Sequence, residues 1–462
     1  MLPVLRRPRI LWAMLELDSA QEFRPAFDVE FFEALPARPG VFQLLMTAEN
    51  ARPYLARTAD LRAAATRLLS RPEAGASTKR LNLRDVARMM RYRVTGSKFE
   101  QSITLYENAR REFPTKYRDV VRLRPPAVLK INLRNSYPRC YVTRKIRGDE
   151  GFYFGPFQSR QFAEEFSTGL LDLFKTRRCQ IKILRDPSFP GCIYSEMKMC
   201  LAPCFAGCTS DEYQSEVAQL LATLDSSGVS LTESLEAERE KASEDLDFER
   251  AALLHKRLEK ASAALRGLPE IAGPIAHLDA VILQKGAAEK TLVAFPVFAG
   301  MLGAPLTLNF GDVTAEPRSA EYFLKRALEP EAFDESGEPL ERAKAKRTKN
   351  EAAPIAEASA EMHAGGAGRE LPASAEPSPP AQHADLRAEA RARYGVTHVA
   401  PQLSEHLSLV SRWFYSKPRD GEILFKEDVW PYRRIMRACS RLLAPPPEIK
   451  PVDPAEPAAP PP

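Results

Sequence analysis

The sequence predicts an α+β protein of several domains, and three observations carry that reading. Residues 35–69 run as strand, turn, strand and alanine-rich helix, two helical stretches follow Ser230, and three apolar runs of strand composition begin after Pro274. The length of 462 residues bounds the count at about two to four domains.

Residues 1–30 read as an N-terminal extension. Leu35-Pro36-Ala37-Arg38-Pro39-Gly40-Val41-Phe42 leads into a first strand, and Tyr54-Leu55-Ala56-Arg57 ends a second. Asp60 then caps a helix running to Leu69, because its carboxylate can accept from the free amides of the first turn. These elements bound a first domain over 31–120, followed by a connecting segment over 121–165. A helical stretch between Phe162 and Phe174 opens a cysteine-rich segment over 166–228. In the next unit, 229–268, Leu231, Leu235, Leu246, Phe248, Ala251, Leu254 and Leu258 recur at helical spacing on either side of a bend at Asp245-Leu246-Asp247. Two short antiparallel helices cannot bury both faces alone. Their apolar stripe therefore serves either an intramolecular core or a partner.

After Pro274 the period changes. Leu278 to Leu283, Thr291 to Phe298 and Leu306 to Phe310 read as strands of a β-rich unit over 269–331. Residues 332–385, rich in Ala, Glu, Pro, Ser and Gly, carry too little apolar surface to fold and read as a disordered linker. A small C-terminal module over 386–443 holds Trp413-Phe414-Tyr415 and Trp430-Pro431-Tyr432, with His398 and His406 as structural histidines. Residues 444–462 form a proline-rich tail.

The net charge of +5 hides an uneven distribution. Between Thr78 and Arg147 there are 19 Lys/Arg against 5 Asp/Glu, interleaved with Tyr92, Tyr106, Tyr117, Tyr137 and Tyr141. A basic run is usually a solvated face, but an excess this local with aromatics between the charges suits a surface that tracks phosphates. Arg91, Arg93, Lys98, Arg110, Arg111 and Lys116 are its candidate DNA contacts. The apolar stretch from Ile10 to Leu15 is interrupted by Glu16 and Asp18, so no secretory or membrane segment is expected, and a cytoplasmic location follows.

Cys179, Cys192, Cys200 and Cys204 sit at the spacing C-x12-C-x7-C-x3-C, with Cys208 beside them. Cysteines that merely fill gaps in a core do not bunch in this way. Four soft thiolates converging on one point are what a [4Fe–4S] cluster or a structural zinc needs. Zinc ribbons usually pair their ligands as two close couples, whereas only Cys200 and Cys204 are close here. The spacing favours the iron–sulfur cluster, with zinc as the alternative. In a reducing compartment the seven cysteines are ligands and free thiols rather than a disulfide framework.

Three segments in order carry a resemblance. Tyr137-Pro138-Arg139-Cys140-Tyr141-Val142-Thr143-Arg144 with Tyr153-Phe154-Gly155-Pro156-Phe157 comes first. Gly191 and Cys192 through Leu201-Ala202-Pro203-Cys204 follow, and Ala242-Ser243-Glu244-Asp245-Leu246-Asp247-Phe248-Glu249-Arg250-Ala251-Ala252 closes the set. Together they resemble the UvrC family, the incision subunit of bacterial nucleotide-excision repair, over roughly residues 31–330. The third segment is similar to the UVR motif, the hairpin through which UvrC meets UvrB. The resemblance therefore implies a UvrB-like partner docking on Leu246, Phe248, Glu249, Ala251, Ala252 and Leu254, and a second partner in DNA.

It also implies an N-terminal GIY-YIG nuclease domain, and here the chemistry is degenerate. The first tyrosine of that site corresponds to Phe42, which lacks the hydroxyl, while the second is kept as Tyr54. The lysine becomes Arg57, which is charged but is no tunable base. The helical arginine falls at Ala64, and the metal-binding glutamate at Leu105, which offers a hard cation no oxygen. Glu107 could substitute only across about 200° of helix rotation. No spaced set of carboxylates follows Leu278, so the second, ribonuclease-H-like nuclease and the helix-hairpin-helix region of the family are not expected. The expectation is a truncated UvrC homologue that binds DNA and partner without its own nuclease, and without a catalytic Mg²⁺ or Mn²⁺. The rival is a single-incision endonuclease using Glu107, Tyr54 and Arg57.

Overall fold

The computed structural model describes residues 15–48, 50–71, 81–149, 151–311, 319–332 and 402–444. The expected linker, the proline-rich tail, His398 and the basic pair Lys79 and Arg80 lie outside the described residues, apart from Ala332 and Ala444 at their edges.

The first unit contains β1 (Ser19–Glu22), α1 (Asp28–Ala34), β2 (Gly40–Met46), β3 (Tyr54–Thr58), α2 (Leu61–Leu69), β4 (Ala87–Val94), α3 (Lys98–Glu112) and α4 (Tyr117–Val121). Its antiparallel sheet has the order β1-β4-β2-β3. The central strand β2 is buried on both faces: Phe42 and Leu44 meet α2, while Val41 joins the core that contains α3. Asp60 caps α2 as its sequence requires, accepting from the Ala63 amide at 2.9 Å. Residues 19–22 and 28–34 correct the extension expected over 1–30: the first pairs with β4 and the second packs on α2.

The second unit contains β5 (Ala127–Asn132), β6 (Cys140–Thr143), β7 (Gly151–Phe157), α5 (Arg160–Leu171), the single turn α6 (Ile193–Glu196), α7 (Ser210–Asp225), α8 (Val229–Glu244), α9 (Phe248–Leu265) and β8 (Gly273–Pro274). The sheet order is β6-β5-β7-β8. One core joins this sheet to α5, α7, α8 and α9, so the segments read separately as 121–165, 166–228 and 229–268 fold against each other. Thr209 and Glu212 form a capping box that fixes the start of α7, and Asp247 caps α9 through the Arg250 amide at 3.0 Å. Gly228, at φ +97°, turns the chain from α7 into α8, where any Cβ would collide with Leu265.

The third unit contains β9 (Ala280–Lys285), β10 (Thr291–Phe298), β11 (Met301–Leu302), β12 (Leu306–Asn309), α10 (Ala320–Leu328), α11 (Leu403–Phe414), β13 (Glu422–Phe425) and α12 (Tyr432–Leu443). Its sheet runs β11-β10-β9-β13, with β12 also on β10. The strands expected after Pro274 are present. The separate module expected over 386–443 is not: β13 is an edge strand on β9, and α11 and α12 cover opposite faces of the sheet. One shared core welds this unit to the first, with Phe99 of α3 wedged between Phe295 and Trp413 at ring distances of 5.1 and 5.2 Å. At that seam Glu405, nearly fully buried, accepts from the hydroxyls of Tyr106 and Tyr117 at 2.7 Å each and from Arg118 Nε at 2.8 Å. His406 is buried beside it, accepting from the Leu302 amide through Nδ1, and burial lowers its pKa to about 4. It is a structural residue, as its sequence context implies.

Candidate functional site

The cysteine segment is held by contacts that the sequence did not advertise. Arg177 is buried and forks between the Tyr137 carbonyl at 2.7 Å and the Ile181 carbonyl at 2.8 Å, while its amide donates to Tyr213 Oη at 2.9 Å. Tyr213 donates in turn to the Pro138 carbonyl at 2.7 Å, and Arg185 to Tyr137 Oη at 2.8 Å. The Tyr137-Pro138 segment, α7 and the loop bearing Cys179 are thereby one hydrogen-bonded unit. Backbone bonds from Asp186 to the Cys204 carbonyl (2.8 Å) and from Leu201 to the Lys175 carbonyl (2.9 Å) fold the later cysteines back onto it.

Cys192 caps α6, the Ala202 amide donates to Cys200 Sγ at 3.3 Å, and Cys204 lies in a short turn between Ala202 and Ala206, both left-handed. Arg185, Lys198, Ala202 and Ala206 all have φ between +52° and +60°, a concentration of left-handed non-glycine residues that marks a tightly wound loop. Burial pushes the Cys200 thiol up to about 11, against the Ala202 amide, and Cys179, Cys204 and Cys192 each raise it further. Among the described residues no group of three or more His, Cys, Asp or Glu stands at metal-holding distance, so the thiols gather without closing on one point. The soft donor set and the amide on Cys200 Sγ are of the chemistry that a thiolate-bound group needs. Cys208 is buried in the core of the second unit, apart from this role, and burial raises its thiol.

The hairpin α8–α9 turns through Leu246, which is left-handed at φ +58°. Leu246 is 71% and Phe248 68% exposed, an arrangement opposite to that of core residues. Glu249 and Ala252 are exposed beside them, and Ala251 is half-buried against the core. Leu254 departs from the expected partner set: it is 9% exposed and belongs to the shared core of the second unit.

The basic surface is narrower than its sequence. Arg91, Lys98, Arg110, Arg111 and Lys116 are exposed, but Arg111 is in ion-pair range of Glu16 and Glu112. Arg93 pairs with Asp18 at 3.0 Å and approaches the buried Glu100 at 3.7 Å, so its charge is used internally. The interleaved aromatics are no stacking platform. Tyr106 and Tyr137 are buried, Tyr117 is tied to Glu405, and Tyr92 and Tyr141 are half-buried.

The degenerate nuclease positions are split between two faces of the first sheet. Phe42, Tyr54 and Ala64 share the α2 side, with the two rings 6.0 Å apart. Arg57 points the other way and donates to Ser102 Oγ of α3 at 3.1 Å, and Leu105 is buried in the seam core. Glu107 is half-buried, its carboxyl raised by burial against Arg110 and Arg111.

Comparison with known proteins finds its matches in the second unit. The middle domain of UvrC/Cho excinucleases matches residues 127–223, and the UvrB/uvrC motif matches residues 230–264. UvrABC system protein C of Nitratidesulfovibrio vulgaris is 36% identical over 131 residues, which are 28% of this chain and 19% of that protein. The same protein of Oleidesulfovibrio alaskensis is 31% identical over 154 residues, 33% of this chain and 22% of the relative. That of Idiomarina loihiensis is 35% identical over 155 residues, 33% and 24% respectively. The chain therefore spans between 19% and 24% of the length of these curated relatives. No solved structure matches. Among the described residues no helix is long and apolar enough to cross a membrane.

Proposed function

We propose that the protein works in nucleotide-excision repair by binding DNA and a UvrB-like partner without making the incision itself, because residues 127–223 match the UvrC/Cho middle domain and residues 230–264 the UvrB/uvrC motif. The observation that carries the reading is the tip of the hairpin, where Leu246 and Phe248 are exposed on either side of the capping Asp247. An aromatic held outward on a capped helix is available to a partner groove at no cost in unfolding.

The same reading puts a [4Fe–4S] cluster, or zinc in its place, on Cys179, Cys192, Cys200 and Cys204. Such a group would tie the two arms of the loop together, while Arg177 and Tyr213 hold the loop to the sheet. DNA is met by the exposed cations Arg91, Lys98, Arg110 and Lys116. The absence of incision is supported by the separation of Tyr54 from Arg57 and Leu105 across the sheet, since water activation on a divalent cation needs its groups around one point.

The test is to incubate the protein with partner-loaded damaged duplex and Mg²⁺ or Mn²⁺. A supershifted complex with intact strands is expected. Nicks abolished by Glu107→Gln would establish the endonuclease instead, and failure to join the partner–DNA complex would remove the repair reading.

A further inference from the structure

A cleft of about 1250 Å³ lies where α5, α9 and the cysteine loop meet, and none of the sites above uses it. Its charges are unequal in kind as well as in number. Each of its carboxylates is already engaged: Asp172 by Arg178 at 2.8 Å, Glu216 by the Lys175 amide at 2.6 Å, and Glu165 by Gln161 at 2.9 Å. Lys175, Lys198, Lys256, Lys260 and Arg266 also line it, all exposed and none in an ion pair among the described residues. Lys256 and Lys260 stand one turn apart on α9, a rise of about 6 Å along one wall. Between the cations the lining is apolar and accessible: Leu253 is 67% and Met197 61% exposed, with Phe162 and Met199 half-buried.

We propose that this cleft takes a single strand of nucleic acid, its phosphates on the α9 cations and its bases over the Met197, Met199 and Phe162 wall. Seven Lys and Arg side chains against three carboxylates leave the lining positive and complementary to a polyanion. The apolar wall between the cations suits uncovered base faces, which an unpaired strand offers and a duplex does not. The site would give α9 two tasks, with Phe248 at its start offered to the protein partner and Lys256 onward laid along the strand. The proposal rests on the DNA-repair reading but places a contact where that reading has none.

The experiment measures binding of labelled oligothymidine and of duplex of equal length by the full chain, across a salt series. The variant is Lys256→Gln, Lys260→Gln and Arg266→Gln together, all exposed residues, with helicity checked by circular dichroism. Oligothymidine affinity is expected to fall at least tenfold, and the slope of log K against log salt to shrink by about 2, while duplex binding and binding of the UvrB-like hairpin persist. Met197→Ala should weaken oligothymidine several-fold with the salt slope unchanged. Unaltered oligothymidine binding in the triple variant overturns the proposal. So does loss of hairpin binding with DNA binding intact, which would make the cleft a protein-docking groove, and so does an equal loss on duplex. Failure of the broader repair reading is seen separately, as wild-type protein that binds oligothymidine but no partner.

Discussion

Replacing Phe248 by Ala tests the hairpin at the point where fold and function part. The side chain is 68% exposed, so the isolated protein has little to lose: a change of under about 0.5 kcal/mol is expected, as for surface positions free of special contacts. A phenylalanine presents about 200 Å² of apolar surface, and covering the exposed two-thirds at about 25 cal/mol/Å² would contribute roughly 3 kcal/mol on docking. That figure is an upper bound, because docking also orders the ring and the partner's side chains. A net loss of about 2 kcal/mol, a roughly thirtyfold rise in Kd, is the expected outcome. Titration calorimetry with a UvrB-like hairpin measures it, and a thermal melt of the same variant checks the fold. Wild-type affinity in the variant would refute the anchor role. A lowered melting temperature with parallel loss of helicity would instead place Phe248 in the hairpin's own support.

Four other outcomes are expected. Protein purified without oxygen should be brown and bleach on reduction, or colourless with bound zinc; Cys200→Ser or Cys204→Ser should lose the metal by elemental analysis, and Cys208→Ser, in the core, should keep it. Neutralising Arg91, Lys98 and Lys116 should reduce the salt slope of duplex binding by about 0.9 for every phosphate that the variant leaves unneutralised. Arg93→Gln should lower the melting temperature instead, since it withdraws charge from Asp18 and the buried Glu100. Glu405→Ala should destabilise the seam by about 2 kcal/mol, mostly from the Tyr106 hydroxyl left buried without its partner, because Arg118 is largely exposed and adds little. Burial raises the Glu405 carboxyl, but Tyr106, Tyr117 and Arg118 outweigh it and hold it below the ordinary value. Its contribution is therefore present above about pH 4.3 and lost as pH falls through the depressed folded value. Urea unfolding followed through Trp413, which packs on Phe99 at that seam, reads the loss and its pH dependence.

What was legible from sequence was what local pattern decides. Asp60 and the Asp245-Leu246-Asp247 bend state their roles in neighbouring residues, and the helices and the strands near 280, 291 and 306 announce their periods. Pairings across long separations were not legible. Ser19–Glu22 and Glu422–Phe425 are four-residue edge strands, and which sheet they join is decided by an unfilled row of backbone groups on β4 and β9 rather than by their own composition. Charged residues misled for the same reason. Glu405 and Arg177 are buried with partners far off in sequence, at Tyr117, 288 residues away, and at Tyr137, 40 residues away. The counted excess of positive charge over 78–147 could not reveal that Arg93 is paired and that Tyr106 and Tyr137 are core.

The pairing of β13 with β9 gives the chain an unusual tolerance. Residues 402–444 supply an edge strand, a helix on each face of the sheet and the carboxylate that gathers Tyr106, Tyr117 and Arg118, yet the covalent route to them leaves the described fold after Ala332 and returns at Gln402. A break in the chain between 332 and 402 would leave these hydrogen bonds and buried contacts in place, since residues 402–444 themselves form them. Two fragments, ending near Ala332 and beginning near Gln402, should then reconstitute the native particle when refolded together, and neither should complete the sheet when refolded alone.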